Sequence, residues 1–94
     1  EKEIIKKWIE SVKMDAETML KSAVKKCEIK GVSASYNIGQ GNVTNEILNF
    51  AKRKKISLII IGSQGLHGIK KFKTLGSVSR RVSEQAKCPV LIVR

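Results

Sequence analysis

A glycine-rich segment, residues 62–77, holds the residue types best suited to chemistry in this sequence. Gly62 directly follows an apolar run, Gly65 lies three residues later, and Gly76 precedes Ser77 at the start of a helical pattern. In open parallel sheets ligands bind beyond the carboxyl ends of the strands, and glycine lets backbone amides approach an anion without a Cβ in the way. Amides at a helix N-terminus add partial positive charge, and the Ser77 hydroxyl is a further donor. The segment therefore predicts a phosphate site; the alternative is that its glycines serve turns and that Ser77 only caps its helix.

Other kinds of site have little support in the sequence. No glycine is followed five and six residues later by the Gly-Lys pair of the Walker loop, and no G-x-G-x-x-G occurs. Glu84 is the only acidic residue after Glu46, and no carboxylate pair or nucleophile with a base is apparent. Cys27 and Cys88 match no metal-ligand spacing, which predicts reduced, packed thiols. An enzyme is the least supported class, because acid–base chemistry would have to come from residues absent here.

The elements that must position the glycine-rich segment follow from the spacing of apolar residues. Residues 5–27 place apolar side chains three and four apart, which predicts a long amphipathic helix that ends before Gly31, with Trp8 as a core anchor. The alternation of apolar and small polar residues over Val32–Ile38 predicts a strand near a sheet edge. Asn42 then caps a second helix.

Two further apolar runs predict buried strands. Leu58–Ile61 has no polar face, which is typical of a strand covered by helices on both sides. A short helix with Val78, Val82 and Ala86 on its inner side follows the glycine-rich segment, and Pro89–Val93 forms the last strand. Strands that alternate with helices predict an α/β fold, an open parallel sheet with helices on both faces, in one domain.

The net charge of +11 is concentrated beside the glycine-rich segment. Residues 50–94 carry eleven Lys or Arg against a single acidic residue, whereas residues 1–49 carry eight against seven. Such a charge attracts anions, but aromatic residues that would stack on bases are scarce, so nucleic-acid binding is disfavoured. No apolar run approaches the roughly 18 residues of a membrane span, and the sequence does not begin with a secretory signal pattern. The expected location is the cytoplasm.

Three runs of this sequence carry a resemblance to the universal stress protein family. They are Ile61–Gly65, Leu75–Ser79 and Lys87–Val93, and together with the second predicted helix they extend the similarity over nearly the whole chain. The resemblance implies a Rossmann-like domain of the adenine nucleotide alpha hydrolase type. The family begins with a strand, a helix and a second strand that have no counterpart before Glu1, so residues 1–94 resemble a universal stress protein domain that is incomplete at its N-terminus.

The resemblance also assigns residues to a nucleotide site. The nucleotide that the family often binds is ATP, with Mg or Mn. Gly62 would lie against the ribose, and Gly65, Gly76, Ser77 and Val78 would hold the phosphates through backbone amides and the Ser77 hydroxyl. The spacing between Gly65 and Gly76 is one residue longer than the usual family spacing.

Dimerisation is the second property that the resemblance implies, and it would use the last strand, through Val90, Leu91, Ile92 and Val93. Two functions follow as expectations. The first is a nucleotide-binding regulatory module that acts through dimerisation with little or no catalysis. The second is a regulatory or interaction domain of the same family that does not bind nucleotide and belongs to a larger transporter or signalling protein.

Overall fold

The computed structural model describes residues 1–63 and 76–94. The chain divides into two compact units, Glu1–Ile38 and Gly39–Arg94. Among the described residues, the first unit contains one helix, and the second contains two helices and a parallel pair of strands. In chain order the elements are α1 (Lys2–Ile29), α2 (Val43–Arg53), β1 (Ile59–Gly62), α3 (Ser77–Gln85) and β2 (Val90–Val93).

The first unit is dominated by the 28-residue helix α1. It ends as predicted, because Gly31 adopts the left-handed conformation with φ of 77°. The amide of Gly31 donates to the Glu28 carbonyl oxygen at 2.9 Å and that of Val32 to the Cys27 carbonyl oxygen at 2.9 Å, which is a Schellman ending. None of the residues of α1 is buried, and Trp8 is 66% exposed, so its predicted role as a core anchor is wrong within this structure.

The predicted strand Val32–Ile38 is absent from the structure. Among the described residues, no backbone hydrogen bond joins any residue from 33 to 41 to another part of the chain. Alternation of apolar and polar residues gives an extended segment two different faces, but a strand forms only when a neighbouring strand pairs with its backbone groups. The prediction of a strand is therefore wrong for these residues, because no partner for their backbone groups is present among the described residues.

The second unit has a β-α-β arrangement. Strands β1 and β2 pair in parallel, with Ile59 opposite Val90 and Gly62 opposite Val93, and α3 lies between them in the chain. Helix α2 begins as predicted at Asn42, whose side-chain oxygen accepts from the amide of Asn45 at 3.0 Å. Helices α2 and α3 contact each other, and α3 contacts β2. The parallel crossover agrees with the predicted α/β class.

The described residues of this unit cover only one face of the sheet. Ile59 is buried and Val82 of α3 is fully buried, which places the small core between α3 and the inner face. Ile60 is 63% exposed and pairs with Leu91, which is 51% exposed, so the opposite face has no cover among the described residues of the unit. The expectation of helices on both faces is therefore not met here. A run of four apolar residues does not distinguish a strand covered on both faces from one whose second face is open.

No helix in the described part of the chain combines the length and the hydropathy that crossing a bilayer requires.

Candidate functional site

The carboxyl end of β1 is joined to the N-terminus of α3 by a short series of hydrogen bonds. The amide of Ser63 donates to the Val93 carbonyl oxygen at 2.7 Å, and the Ser63 carbonyl oxygen accepts from the amide of Gly76 at 2.7 Å. The hydroxyl of Ser79 donates to the Gly62 carbonyl oxygen at 2.5 Å. These bonds bring the predicted site residues Gly62 and Gly76 to one place, at the carboxyl edge of the parallel pair.

The amide of Gly76 has a structural use in this arrangement. It was predicted to hold phosphate, but it donates to Ser63 and so fixes the start of α3 against the end of β1. This bond does not change the other property expected of a glycine here, which is that it has no side chain to obstruct an approaching anion. Gly65, the remaining predicted phosphate ligand of the segment, lies outside the described residues.

The first turn of α3 presents backbone amides that have no partner within the helix. Gly76 is the N-cap residue and has no side chain with which to cap the turn. The first helical hydrogen bond runs from the amide of Arg80 to the Gly76 carbonyl oxygen at 3.0 Å. The amides of Ser77, Val78 and Ser79 precede it, and such groups need water, a side chain or a ligand as acceptor. Their partial positive charge makes this helix end suitable for an anion.

Ser79 is a positioning residue to which the sequence analysis assigned no role. Its side chain is 3% exposed, and its bond to Gly62 orients the end of β1 relative to α3. The signal was its position three residues before Val82 and seven before Ala86, on the inner stripe of the helix. A small hydroxyl residue on an inward stripe needs a hydrogen-bond partner, because burying an unpaired hydroxyl is costly.

Comparison with known proteins decides the family. The family model described as the universal stress protein family matches residues 2–94. The chain belongs to the universal stress protein family. This membership confirms the resemblance found in the sequence and implies the α/β, Rossmann-like fold, of which the structure has the helices and a small parallel sheet.

Individual relatives agree with this assignment. Universal stress protein YxiE of Bacillus subtilis is 47% identical over 83 residues, which are 88% of this chain and 55% of that protein. A universal stress protein of Methanocaldococcus jannaschii is 39% identical over 85 residues, 90% of this chain and 49% of that protein. A homologue in Coxiella burnetii is 39% identical over 88 residues, 86% of this chain and 58% of that protein. The chain thus spans about half the length of the curated relatives it matches.

Metal ligands are a separate question from the backbone donors at the start of α3 in this universal stress protein chain. Among residues 1–63 and 76–94, no three His, Cys, Asp or Glu side chains lie close enough together to hold a metal ion. The chemistry that the described site offers is hydrogen-bond donation to an anion from backbone amides and one exposed hydroxyl, that of Ser77.

Replacing Ser79 with Ala is expected to destabilise the second unit by about 1–3 kcal/mol, because the Gly62 carbonyl oxygen loses its donor in a partly buried place. Urea unfolding followed by circular dichroism measures the change. The matched control is Ser83→Ala on the same helix, since the Ser83 hydroxyl donates only to the nearby Arg80 carbonyl oxygen and is exposed. The control should stay within about 0.5 kcal/mol of the parent protein. Equal losses in both variants would show that Ser79 does not hold β1 and α3 together.

Proposed function

We propose that this chain is a nucleotide-binding regulatory module of a stress response, in which the phosphates of an adenine nucleotide bind at the N-terminus of α3. The observation that carries the proposal is the first turn of α3, where the amides of Ser77, Val78 and Ser79 have no intrahelical acceptor. This turn lies at the carboxyl end of β1, where ligands of parallel sheets bind. Membership of the universal stress protein family supports the regulatory role.

The residues present fit a phosphate group. Ser77 and Val78 would donate their amides, the exposed Ser77 hydroxyl would add a third donor, and Gly62 would lie beside the ribose. Gly65 would complete the phosphate contacts from the part of the segment outside the described residues. The eleven basic residues of positions 50–94 would favour the approach of a polyanion.

A divalent cation, Mg or Mn, would accompany the nucleotide through the phosphates. Mg²⁺ commonly keeps several waters and binds through substrate phosphates and one or two carboxylates, so a full set of protein ligands is unnecessary. This is consistent with the lack of a ligand cluster among the described residues. Under this proposal the module works by binding, with little or no turnover, in the cytoplasm.

Replacing Ser77 with Pro should lower ATP affinity about tenfold to a hundredfold without unfolding the protein, the size expected for one or two lost charge-assisted hydrogen bonds. Proline is favoured at the first position of a helix, where its missing N–H breaks no helical bond. Gly76, at φ of −63° and ψ of 159°, already has the extended conformation that precedes proline. The substitution therefore removes the Ser77 amide and hydroxyl donors while keeping the helix start.

Isothermal titration with ATP measures this effect, and Ser77→Ala is the matched variant that loses the hydroxyl and keeps the amide. The additional loss in the proline variant is the contribution of the amide. Thermal unfolding without nucleotide should show the proline variant at least as stable as the parent. Identical ATP affinity in all three proteins would remove the N-terminus of α3 from the site.

A domain of the same family that does not bind nucleotide is the second candidate. The observation that favours it is the Gly76 amide, which donates within the fold to Ser63 and leaves one donor fewer for a ligand. Denaturing the purified protein and identifying the released small molecules by mass spectrometry separates the two functions. Stoichiometric ATP or ADP supports the first. A protein that carries no nucleotide and also fails to bind added ATP supports the second.

Such a module would act through homodimerisation, which nucleotide binding would regulate. Strand β2, Val90–Val93, pairs with β1 along one edge and leaves its other edge unpaired among the described residues. Leu91 and Val93 also belong to the open face of the sheet. An unpaired edge beside an exposed apolar face is the kind of surface that a second copy would cover in a twofold contact.

A further inference from the structure

A pocket lies at the opposite end of the parallel pair from the proposed nucleotide site. It has a volume of about 300 Å³ and is formed by the C-terminal parts of α2 and α3 together with the segments that enter β1 and β2. Ile56 and Cys88, just before the two strands, are among its lining residues. The volume is at the lower end of the range of roughly 300–1,000 Å³ that small-molecule sites occupy.

The polar lining of this pocket is positively charged. Three lysines that are otherwise exposed line it, Lys52, Lys55 and Lys87, together with Asn49 and Gln85. No acidic residue is among the described residues that line it. The second unit has only two acidic side chains in its sequence, Glu46 and Glu84, and neither belongs to the pocket, so the lysines lack a carboxylate partner in its lining.

Compensation of helix dipoles does not account for this much charge. Two helices end beside the pocket, and each C-terminus carries the equivalent of roughly half a negative charge. Three full positive charges therefore exceed the roughly one negative charge that the two helix ends supply. The excess is available to an anion that enters the pocket.

Lys55 occupies a backbone position that would suit glycine better. Its φ of 51° is the one positive value at a non-glycine residue in the described part of the chain. Its amide donates to the Lys52 carbonyl oxygen at 3.3 Å, and the next amide, that of Ile56, donates to the Ala51 carbonyl oxygen at 2.9 Å. This is a Schellman ending of α2 with lysine in the left-handed position, where a Cβ is unfavourable. Lys55 thus combines an unfavourable backbone conformation with a place in the pocket lining beside two other lysines.

We propose that this pocket is an anion site that binds the phosphate group of a small phosphorylated molecule. Lysine ammonium groups bind phosphate as point charges, and three of them can share the oxygens of one doubly charged group while the amides of Asn49 and Gln85 donate to the rest. Leu48 and Ile56 supply apolar surface for the organic part of the molecule. The site is separate from the N-terminus of α3 and does not depend on the proposed nucleotide function.

The variant Lys55→Gly tests this site, with inorganic pyrophosphate as the probe at constant ionic strength. Glycine relieves the left-handed backbone and removes one ammonium group, so the variant should unfold at a higher urea concentration and yet bind pyrophosphate about tenfold more weakly, the size of one lost charge-assisted contact. Opposite changes in stability and affinity are not expected of a residue whose role is only structural. Isothermal titration and urea unfolding give the two measurements.

Lys54→Gly is the matched control. Lys54 is the neighbouring C-cap residue and is exposed, as Lys55 is, but it has a negative φ of −93° and does not line the pocket. This control loses the same charge and gains the same residue type, but its affinity for pyrophosphate should stay within about twofold of the parent, because general attraction to a basic protein changes little with one exposed charge. Equal loss of affinity in the two variants would overturn the proposal in favour of diffuse attraction.

Amide chemical shifts and a second variant separate this site from the proposed nucleotide site. Pyrophosphate should shift the amides of Lys52, Lys55 and Lys87 and should bind the Ser77→Pro variant there with unchanged affinity. Shifts confined to Ser77 and its neighbours, or no shifts at all, would overturn the pocket as a phosphate site. Failure of ATP to bind with retained pyrophosphate binding at the lysines would contradict only the proposed nucleotide function.

Discussion

Replacement of Val82 with Asp is expected to unfold the second compact unit. Val82 has no exposed surface and is the largest fully buried side chain among the described residues. A carboxylate there would lie in the small core between α3 and the sheet, where the effective cost of an unpaired buried charge is several kcal/mol. Domains are stable by only about 5–15 kcal/mol, and one of this size buries a smaller fraction of its surface than larger domains do and lies near the lower limit. The expected result is loss of the dispersed amide spectrum and of cooperative thermal unfolding.

Ser83→Asp is the control for Val82→Asp. It introduces the same carboxylate one position further along α3, where the side chain is exposed. Its expected effect is within about 0.5 kcal/mol, with a small unfavourable contribution from the negative end of the helix. A Val82→Asp protein that retains a dispersed spectrum and a cooperative transition would contradict the assignment of the core to this face of α3.

Local signals in the sequence were sufficient for the helices and for the positions of the two strands. Asn42 caps α2 because its side-chain oxygen reaches an amide three residues on, and Gly31 ends α1 because only glycine adopts its φ of 77° without strain. These features depend on a few adjacent residues, which is why spacing and residue type predict them. The β-branched residues around Ile60 and in the last strand likewise favour extended backbone whichever partners they have.

Features that depend on a distant partner were missed. Val32–Ile38 has the pattern of a strand but no neighbour among the described residues, and Ile60 has the composition of a doubly covered strand but an exposed side chain. The left-handed backbone of Lys55 was also not predicted, although it depends only on adjacent residues. Its left-handed φ completes a Schellman ending, and residue type predicts such an ending only when the residue is glycine or asparagine. Ser79 belongs to the run Leu75–Ser79 that carries the family resemblance. Its bond to Gly62 joins residues 17 positions apart, and the periodicity of apolar residues does not predict contacts of that kind.

The candidate site likewise combines features that the sequence predicts with features that only the structure shows. The sequence placed Gly62, Gly76 and Ser77 at the junction of a strand and a helix, and the hydrogen bonds of Ser63 and Ser79 give that junction its geometry. The sequence did not predict that the Gly76 amide would be used within the fold. The residue type of Gly76 is the same whether its amide binds a carbonyl oxygen or a phosphate. Only the structure distinguishes the two uses.

Replacement of Leu91 with Asp is expected to weaken the proposed homodimer by more than a hundredfold while leaving each monomer folded. Leu91 is 51% exposed on the open face of the sheet, so the monomer tolerates a charge there. In a twofold contact both copies of the residue would be buried. Loss of the remaining apolar burial of two leucine side chains costs about 2 kcal/mol, and two carboxylates removed from water add at least 1 kcal/mol more. A total of about 3 kcal/mol corresponds to a factor above one hundred in the dissociation constant.

Sedimentation velocity over a range of concentrations measures this change, with circular dichroism as the check that the variant is folded. The inner-face variant Ile92→Ala separates the two faces of β2, because Ile92 is half-buried toward α3 and its loss should lower stability more than association. Ser83→Asp adds the same charge away from the strand and should leave association unchanged. A parent protein that sediments as a monomer at every concentration, or a Leu91→Asp protein that associates as strongly as the parent, would contradict dimerisation through β2. The apolar face formed by Leu91 and Ile60 would then need a different cover.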